Sequence, residues 1–365
     1  KRSDKPGRNG LYREKTPLIN LAGPTAAEKT DLSIRLAKAI DGDIISADSM
    51  QVYRHMDIGS AKIRPEEMDG VPHHLIDVLD PAQEFNAAVF KQMAKQAVME
   101  IRSRGRIPIL VGGTGFYIQA LLYDIDFDPP GKGQTDGAAS GEKPAEGSSL
   151  RELDVLAKKE GPEHIHKLLA QADPESAEAI HCNNVKRVIR ALEYYRQTGE
   201  KISVHNARER EKESPYAFRY YVINMDRALL YQRIDQRVDR MMEQGLVDEV
   251  KKLKDMGCQR GMVSMQGLGY KEILDYLNGG CTLEEAVYIL KRDTRHFAKR
   301  QLTWFKRERN VRWLDWEKFN FEPERMLQYI LQDASGILGP LKDPGTKAAS
   351  YADSGESNKT ENETR

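Results

Sequence analysis

Cysteine is scarce in this 365-residue chain: three thiols (Cys182, Cys258, Cys281), far apart and with no C-x-x-C pair. That argues against a disulfide framework or a zinc site and suits a reducing compartment. Net charge is lacking too, because 56 Lys+Arg balance 56 Asp+Glu. Any nucleic-acid partner must therefore be read from local charge. No apolar run approaches the roughly 20 residues of a membrane span. The basic residues 1–15 lack the apolar core of a signal peptide. There is no internal repeat. At 39% hydrophobic and 31% charged residues, the composition is globular, with length for one large domain carrying an insertion or for two domains. A cytoplasmic enzyme is the expectation.

What is present centres on Asn20–Thr30, Asn-Leu-Ala-Gly-Pro-Thr-Ala-Ala-Glu-Lys-Thr. It follows a short apolar strand signal (Pro17-Leu18-Ile19) and opens a helical pattern (Leu32, Ile34, Leu36, Ala37, Ile40). Strand, glycine-initiated loop, Lys-Thr and helix is the layout of a phosphate-binding loop. There, backbone N–H groups and a helix N-terminus cradle a polyphosphate, the lysine adds a charge and the threonine can hold Mg²⁺. The candidate loop is Gly23, Pro24, Thr25, Ala26, Ala27, Glu28, Lys29 and Thr30. One glycine is missing, since Glu28 stands where the pattern wants Gly. The alternative is an ordinary strand–helix turn with Thr30 as the helix cap and a solvent-facing lysine.

Along the chain, 42–48 reads as a short buried strand ending in Asp48, and 73–78 as a weaker one. Residues 86–104 carry helical periodicity, and 107–111 form a buried strand ended by Gly112-Gly113-Thr114-Gly115 and a further helix. Strands alternating with helices predict an α/β fold, a P-loop NTPase-like parallel sheet flanked by helices. Ligands of such sheets sit at the C-terminal strand ends, where the loop, Asp48 and Thr114 fall.

Residues 1–16 read as a disordered lead-in, 17–122 and 216–334 as the catalytic core, and 123–215 as an α-helical insertion domain. Residues 131–149 read as a flexible Gly/Ala/Ser-rich segment, and 335–365 as a disordered tail. Within the insertion, 150–198 reads as wholly helical with turns at Gly161-Pro162 and Asp173-Pro174. After a β-rich run at 218–225, Asp226 can cap a helix to Gln244. Helices at 246–256 and 283–308 and a last strand at 311–314 follow.

Asp48, at a strand end beside the loop, suits a Mg²⁺ ligand or a general base, or a helix cap. On the helix from 227, Leu230, Ile234, Val238 and Met241 form one stripe. Arg237 lies at its edge, with Arg233 a turn earlier and about 40° further out. A core-side arginine needs an anion, either a bound diphosphate or a core carboxylate. Residues 291–312 hold nine Lys/Arg against Asp293 and Glu308, interleaved with His296, Phe297, Trp304 and Phe305. Lys186, Arg187 and Arg190 form a second basic group. Cations mixed with aromatics suit RNA, or a solvated amphipathic helix.

Taken together, several motifs resemble the bacterial tRNA dimethylallyltransferases (tRNA isopentenyltransferases, the IPP transferase family). They are Gly23-Pro24-Thr25-Ala26, Ile45–Tyr53, Met56–Lys62, Pro72-His73-His74-Leu75, Val111–Gly115, Arg187–Glu193 and Ala298-Lys299-Arg300-Gln301. The resemblance implies transfer of a dimethylallyl group from its diphosphate to N6 of the adenosine 3′ of the tRNA anticodon. It implies Asp48 as the base, Thr114 beside the reaction channel, and Thr25, Lys29, Thr30 and Arg237 on the diphosphate, with Mg²⁺ near Thr30. Contacts to the anticodon stem-loop of tRNA are implied for Asp48, Ser49, Met50, Gln51, Lys186, Arg187, Arg190, Gln266, Gly267, Gly269, Lys271, Arg295, Lys299 and Arg300. A monomer that does not engage a membrane is expected.

This chain departs from the family pattern at Glu28, at Ser60 in place of threonine, and at Cys182 in place of proline. Only Glu28 bears on function. Two unit charges about 4 Å apart at an effective dielectric of ~20 repel by ~4 kcal/mol. Diphosphate binding is therefore expected to be weakened, less so if the carboxylate is exposed. The competing readings are a P-loop small-molecule or nucleoside kinase, which leaves the basic groups unexplained, and an inactive tRNA-binding protein.

Overall fold

The computed structural model describes residues 15–127 and 149–339. Six parallel strands form its sheet: β1 (Thr16–Ala22), β2 (Gly42–Ala47), β3 (His73–His74), β4 (Ile107–Gly112), β5 (Tyr216–Asn224) and β6 (Val311–Asp315), in the order β3-β2-β4-β1-β5-β6. Residues 16–22 alternate between the two faces, as the period of two demands. Leu18 and Ala22 join a core with Leu110, Tyr220, Ile118 and Phe305. Ile19 and Leu21 join the opposite core with Ile109, Tyr221, Leu32 and Ile330. Burial on both faces explains why these strands read as continuous apolar runs.

The loop strand β1 lies between β4 and β5, so the chain must cross β4 to reach β2. Neighbouring connections therefore leave β1 on opposite sides and open a crevice at the carboxyl ends of the strands. Into that crevice open α1 (Lys29–Ile40) after β1 and α3 (Gly115–Leu122) after β4. The α2 helix (Ala87–Ser103) is capped by Asn86, which accepts from the N–H groups of Ala88 and Val89.

Between α3 and β5 the described residues form five helices: α4 (Ser149–Glu160), α5 (Pro162–Ala172), α6 (Pro174–Ala179), α7 (Val185–Thr198) and α8 (Ile202–Glu211). Leu153, Ile165, Leu169, Val188 and Leu192 give them an apolar cluster of their own. Buried Asp173 ties α6 to α8, accepting from Ser176 and Ser203 side chains at 2.7 Å each. After β5 come α9 (Arg227–Glu243), α10 (Leu246–Asp255), α11 (Tyr270–Leu277), α12 (Leu283–Phe305) and α13 (Pro323–Leu338). Asp226 caps α9, as expected, through the N–H groups of Ala228 and Leu229.

Several expectations are corrected. Thr16 belongs to β1, where it pairs with Tyr216, so the strand begins one residue inside the expected lead-in. The remaining lead-in residues 1–14, the segment 128–148 and the tail 340–365 lie outside the described residues. Ser149, expected in the segment 131–149, is the first residue of α4. The stretch 150–198 is interrupted at 180–184, where Asn184 starts a fresh helix. Residues 335–338, expected in the tail, continue α13, which runs to Leu338 and is held by buried Met326, Leu327, Ile330 and Ala334. The long basic helix stops at Phe305, three residues short of the expected 308.

Candidate functional site

Residues 23–28 connect β1 to α1, which begins at Lys29 rather than after Thr30, with left-handed backbone at Ala26 (φ 61°) and Glu28 (φ 60°). Glycine takes that conformation without strain, whereas a residue with a Cβ bears roughly 1–2 kcal/mol. Glu28 is the N-cap position of α1 but makes no side-chain cap. Thr30 lies inside the helix, so the alternative of Thr30 as the cap is corrected: its hydroxyl remains at the exposed surface of the first turn. The Glu28 carboxylate is half exposed and pairs with Arg233 of α9. Pairing and solvent both weaken the repulsion expected of it toward a bound diphosphate.

Lys29 folds back over the loop and donates to the carbonyls of Gly23 (3.1 Å) and Pro24 (2.7 Å). Burial first, and then the neighbouring Arg237 charge, pull its pKa down to about 7 against the opposing field of Asp48. Arg237 reaches the same loop, its Nη1 3.4 Å from Thr25 Oγ1. Burial also lowers the pKa of this guanidinium, against the field of Asp48. Two desolvated cationic side chains side by side are of the chemistry that a polyanion would satisfy.

Asp48 follows β2 directly. Its Oδ1 accepts from the N–H of Met50 (2.8 Å) and of Gln51 (3.3 Å). No helix follows Asp48 directly, so the helix-cap alternative is corrected to an Asx turn, which fixes the carboxylate in one orientation beside Lys29 and Arg237. Thr114 is the N-cap position of α3, and its N–H donates to the Ala47 carbonyl at 3.3 Å. Thr114 and Asp48 thereby flank one point at the ends of β4 and β2.

Gln301 of α12, quoted above only as part of a motif, joins these parts. Its Oε1 accepts from the Thr25 N–H at 3.0 Å and its Nε2 donates to the Gly113 carbonyl at 2.9 Å. A Cβ on Gly113 would collide with that amide, and one on Gly115 with the Trp304 indole. Close approach by α12 is the reason for glycine at both positions. Spacing alone carries no signal for a bridge between segments so far apart in sequence.

The residues expected to contact tRNA divide. Residues 48–51 do adjoin 266–271: a Cβ on Gly267 would lie 2.6 Å from Met50 Sδ. Gly269 N–H donates to Glu272, and Gln266 to the carbonyl of Arg260. Gln51 is occupied internally, accepting from Ser46 Oγ at 3.1 Å and facing the carbonyls of Ser60 and Ala61. Arg295 makes two 2.8 Å bonds to Asp235, and Lys271 pairs with Glu272 at 3.4 Å. By contrast Ser49 is half-buried, and Lys186, Arg187, Arg190, Lys299 and Arg300 are exposed. An open groove is lined by His296, Lys299, Arg300, Thr303, Trp304 and Arg307, with Arg300 over the Phe297 ring. Cation and aromatic surface alternate there, the mixture that suits phosphates and unstacked bases.

Among the described residues no group of three or more His, Cys, Asp or Glu is placed to hold a metal ion. A hard cation carried in by diphosphate oxygens and water needs fewer protein donors, and the exposed Thr30 hydroxyl is of a suitable type.

Fold and site together define a P-loop-type protein whose loop, lysine and arginine suit a diphosphate, with a carboxylate and a basic helix beside them. A family model described as IPP transferase matches residues 51–308. The chain belongs to that family. It is 57% identical over 314 residues to a tRNA dimethylallyltransferase of Lachnoclostridium phytofermentans, covering 86% of this chain and 96% of that protein. It is 48% identical over 322 residues to one from Carboxydothermus hydrogenoformans (87% and 97% covered). The crystal structure of the full-length tRNA isopentenylpyrophosphate transferase from Bacillus halodurans is similar at 44% identity and TM-score 0.64 (89% of this chain, 97% of that one). A eukaryotic dimethylallyltransferase acting on tRNA is similar at 29% identity and TM-score 0.73 (90% and 81%).

Proposed function

We propose that the chain transfers a dimethylallyl group from dimethylallyl diphosphate to N6 of the adenosine 3′ of the tRNA anticodon, releasing diphosphate. The observation that carries this reading is the convergence of Lys29 and Arg237 on one loop, with Asp48 held beside them by its Asx turn. The names of the relatives at 57% and 48% identity, tRNA dimethylallyltransferases, support the same reaction class.

An allylic diphosphate ionises readily, so the work of the site is to stabilise the departing diphosphate and to position the amine. Loop N–H groups, Lys29 and Arg237 do the first. As the C–O bond to diphosphate breaks and the C–N6 bond forms, Asp48 accepts the N6 proton through the carboxylate oxygen left over from the turn. The lone pair of the adenine amine is delocalised, so this proton moves late. Mg²⁺, held near Thr30 when bound with the diphosphate, supplies further positive charge to the leaving group. Thr114 borders the reacting atoms. The adenosine must leave its stack to reach Asp48, while Lys186, Arg187, Arg190, Lys299 and Arg300 take the surrounding phosphates of a single tRNA on a cytoplasmic, monomeric enzyme.

Parallel incubations with labelled dimethylallyl diphosphate plus tRNA, and with labelled ATP plus nucleosides, test this. Label is expected in tRNA from the first only. Phosphoryl transfer without prenylation would make the chain a kinase. Salt-sensitive tRNA binding with no transfer at all would make it a binding protein.

A further inference from the structure

The α9 helix presents two arginines to the phosphate loop, one turn apart. Arg237 meets the loop at Thr25 and Arg233 meets it at Glu28. Buried Leu230, Ile234 and Val238, on the stripe that both arginines border, fix α9 against the core and so hold the base of each side chain beside the loop. Their situations differ in one respect. Arg237 has a hydroxyl as its nearest partner, whereas Arg233 already holds a carboxylate. That carboxylate belongs to the residue standing where the loop pattern has glycine, at φ 60° and ψ 42°. The side chain of Arg233 is 27% exposed and that of Glu28 is 52% exposed.

We propose that Arg233 is a second diphosphate-binding arginine, and that Glu28 is an internal carboxylate which the substrate diphosphate must displace from it. The inference rests on the diphosphate reading of the loop given above. A guanidinium fork fits a phosphate as it fits a carboxylate, and the diphosphate offers more charge. Glu28 can swing into solvent, because it is already half exposed and an ion pair at such exposure is weak. Binding then exchanges one anion for another on Arg233, leaving the carboxylate as a rival and not as a wall. The cost to affinity is modest, about fivefold, in place of the nearly thousandfold penalty of an unpaired glutamate facing the ligand.

Glu28→Gln, Arg233→Met, the double variant and Arg233→Lys are compared by calorimetric binding of inorganic diphosphate with Mg²⁺, and by KM for dimethylallyl diphosphate in transfer to tRNA. Glu28→Gln is expected to tighten diphosphate about fivefold and to lower KM more than it changes kcat. Arg233→Met is expected to weaken binding, and to weaken it by about tenfold or more in the Glu28→Gln background, where the arginine has no rival. Arg233→Lys, which keeps the charge and much of the side-chain bulk, is expected to fall between wild type and Arg233→Met. If Arg233→Met leaves affinity unchanged in the Glu28→Gln background, Arg233 merely neutralises Glu28 and the inference is overturned. Equal affinity of Arg233→Lys and Arg233→Met overturns it as well. Should diphosphate binding follow the expected pattern while no variant prenylates tRNA, the functional reading fails and the inference stands; normal prenylation with no effect at Arg233 is the reverse.

Discussion

Gln301 accepts a hydrogen bond from the Thr25 backbone N–H at 3.0 Å, although 276 residues separate the two. The other end of the same amide donates to Gly113 at 2.9 Å. One side chain of α12 thus ties the loop at 23–28 to the turn before Thr114, and it does so from the helix that carries the basic groove. Substitution by leucine leaves a donor and an acceptor without partners and is expected to destabilise the fold by about 1–3 kcal/mol. Transfer should fall further than that loss accounts for, with KM for the prenyl donor raised. Gln301→Glu keeps the acceptor but not the donor, and should lie between. Thermal unfolding and steady-state kinetics on the same preparations check both parts.

Lys29 gives the site a proton linkage. Its pKa in the free protein is lowered from 10.5 to about 7, chiefly by burial. A diphosphate favours the charged form, so binding at pH 8–9 should take up close to one proton, and the uptake should vanish well below pH 7. Calorimetry in buffers of different ionisation enthalpy reads this directly, and Lys29→Met should abolish it. Between pH 7 and 10.5 unfolding also takes up this proton. The contribution of Lys29 to stability is therefore present above 10.5 and lost as pH falls through 7.

Gly115→Ala forces the Trp304 indole to move, because the new methyl would occupy its position. Phe305 beside it is fully buried and cannot follow. Strain of roughly 1–3 kcal/mol is expected. The displaced indole should also weaken tRNA binding through the groove that it lines. A melting curve and a salt-resolved tRNA binding curve give the two readings.

Glu308 carries a pKa raised from 4.5 to about 7 by burial, with the Trp304 N–H and Arg309 opposing the rise. A carboxyl raised on folding contributes stability that is full below 4.5 and is lost as pH rises through 7. Glu308→Gln should flatten the melting temperature across that window. A melting profile that keeps its slope there would assign the slope to other groups.

Much of the sheet was legible because its strands are buried on both faces and its long helices carry a clear stripe. The α9 stripe of Leu230, Ile234 and Val238 puts Arg237 at its edge, and the fold brings that edge to Thr25. Other elements gave weaker local signals. The α11 helix has eight residues between glycines 269 and 279, and α8 has almost no apolar face, being held partly by Ser203 bonding to Asp173. Ser335 and Gly336 made the end of α13 look like tail, while its hold on the sheet comes from Ile330 and Ala334.

Loop residues were readable from residue type, but partners were not. Nothing local reveals that Glu28 meets Arg233, that Arg295 is taken by Asp235, or that Gln51 turns inward to Ser46. Each pairing is made by chain segments that only the fold brings together, except Gln51 and Ser46, where the intervening turn decides which way the amide faces.

Prenyl transfer with Asp48 as the base is tested most directly by mass spectrometry of nucleosides from tRNA incubated with the protein, Mg²⁺ and dimethylallyl diphosphate, with Asp48→Asn alongside. One dimethylallyl group is expected on the adenosine 3′ of the anticodon, formed about 10²–10⁴ times more slowly by Asp48→Asn. Unmodified adenosine at saturating donor, or an Asp48→Asn variant as fast as wild type, would contradict it.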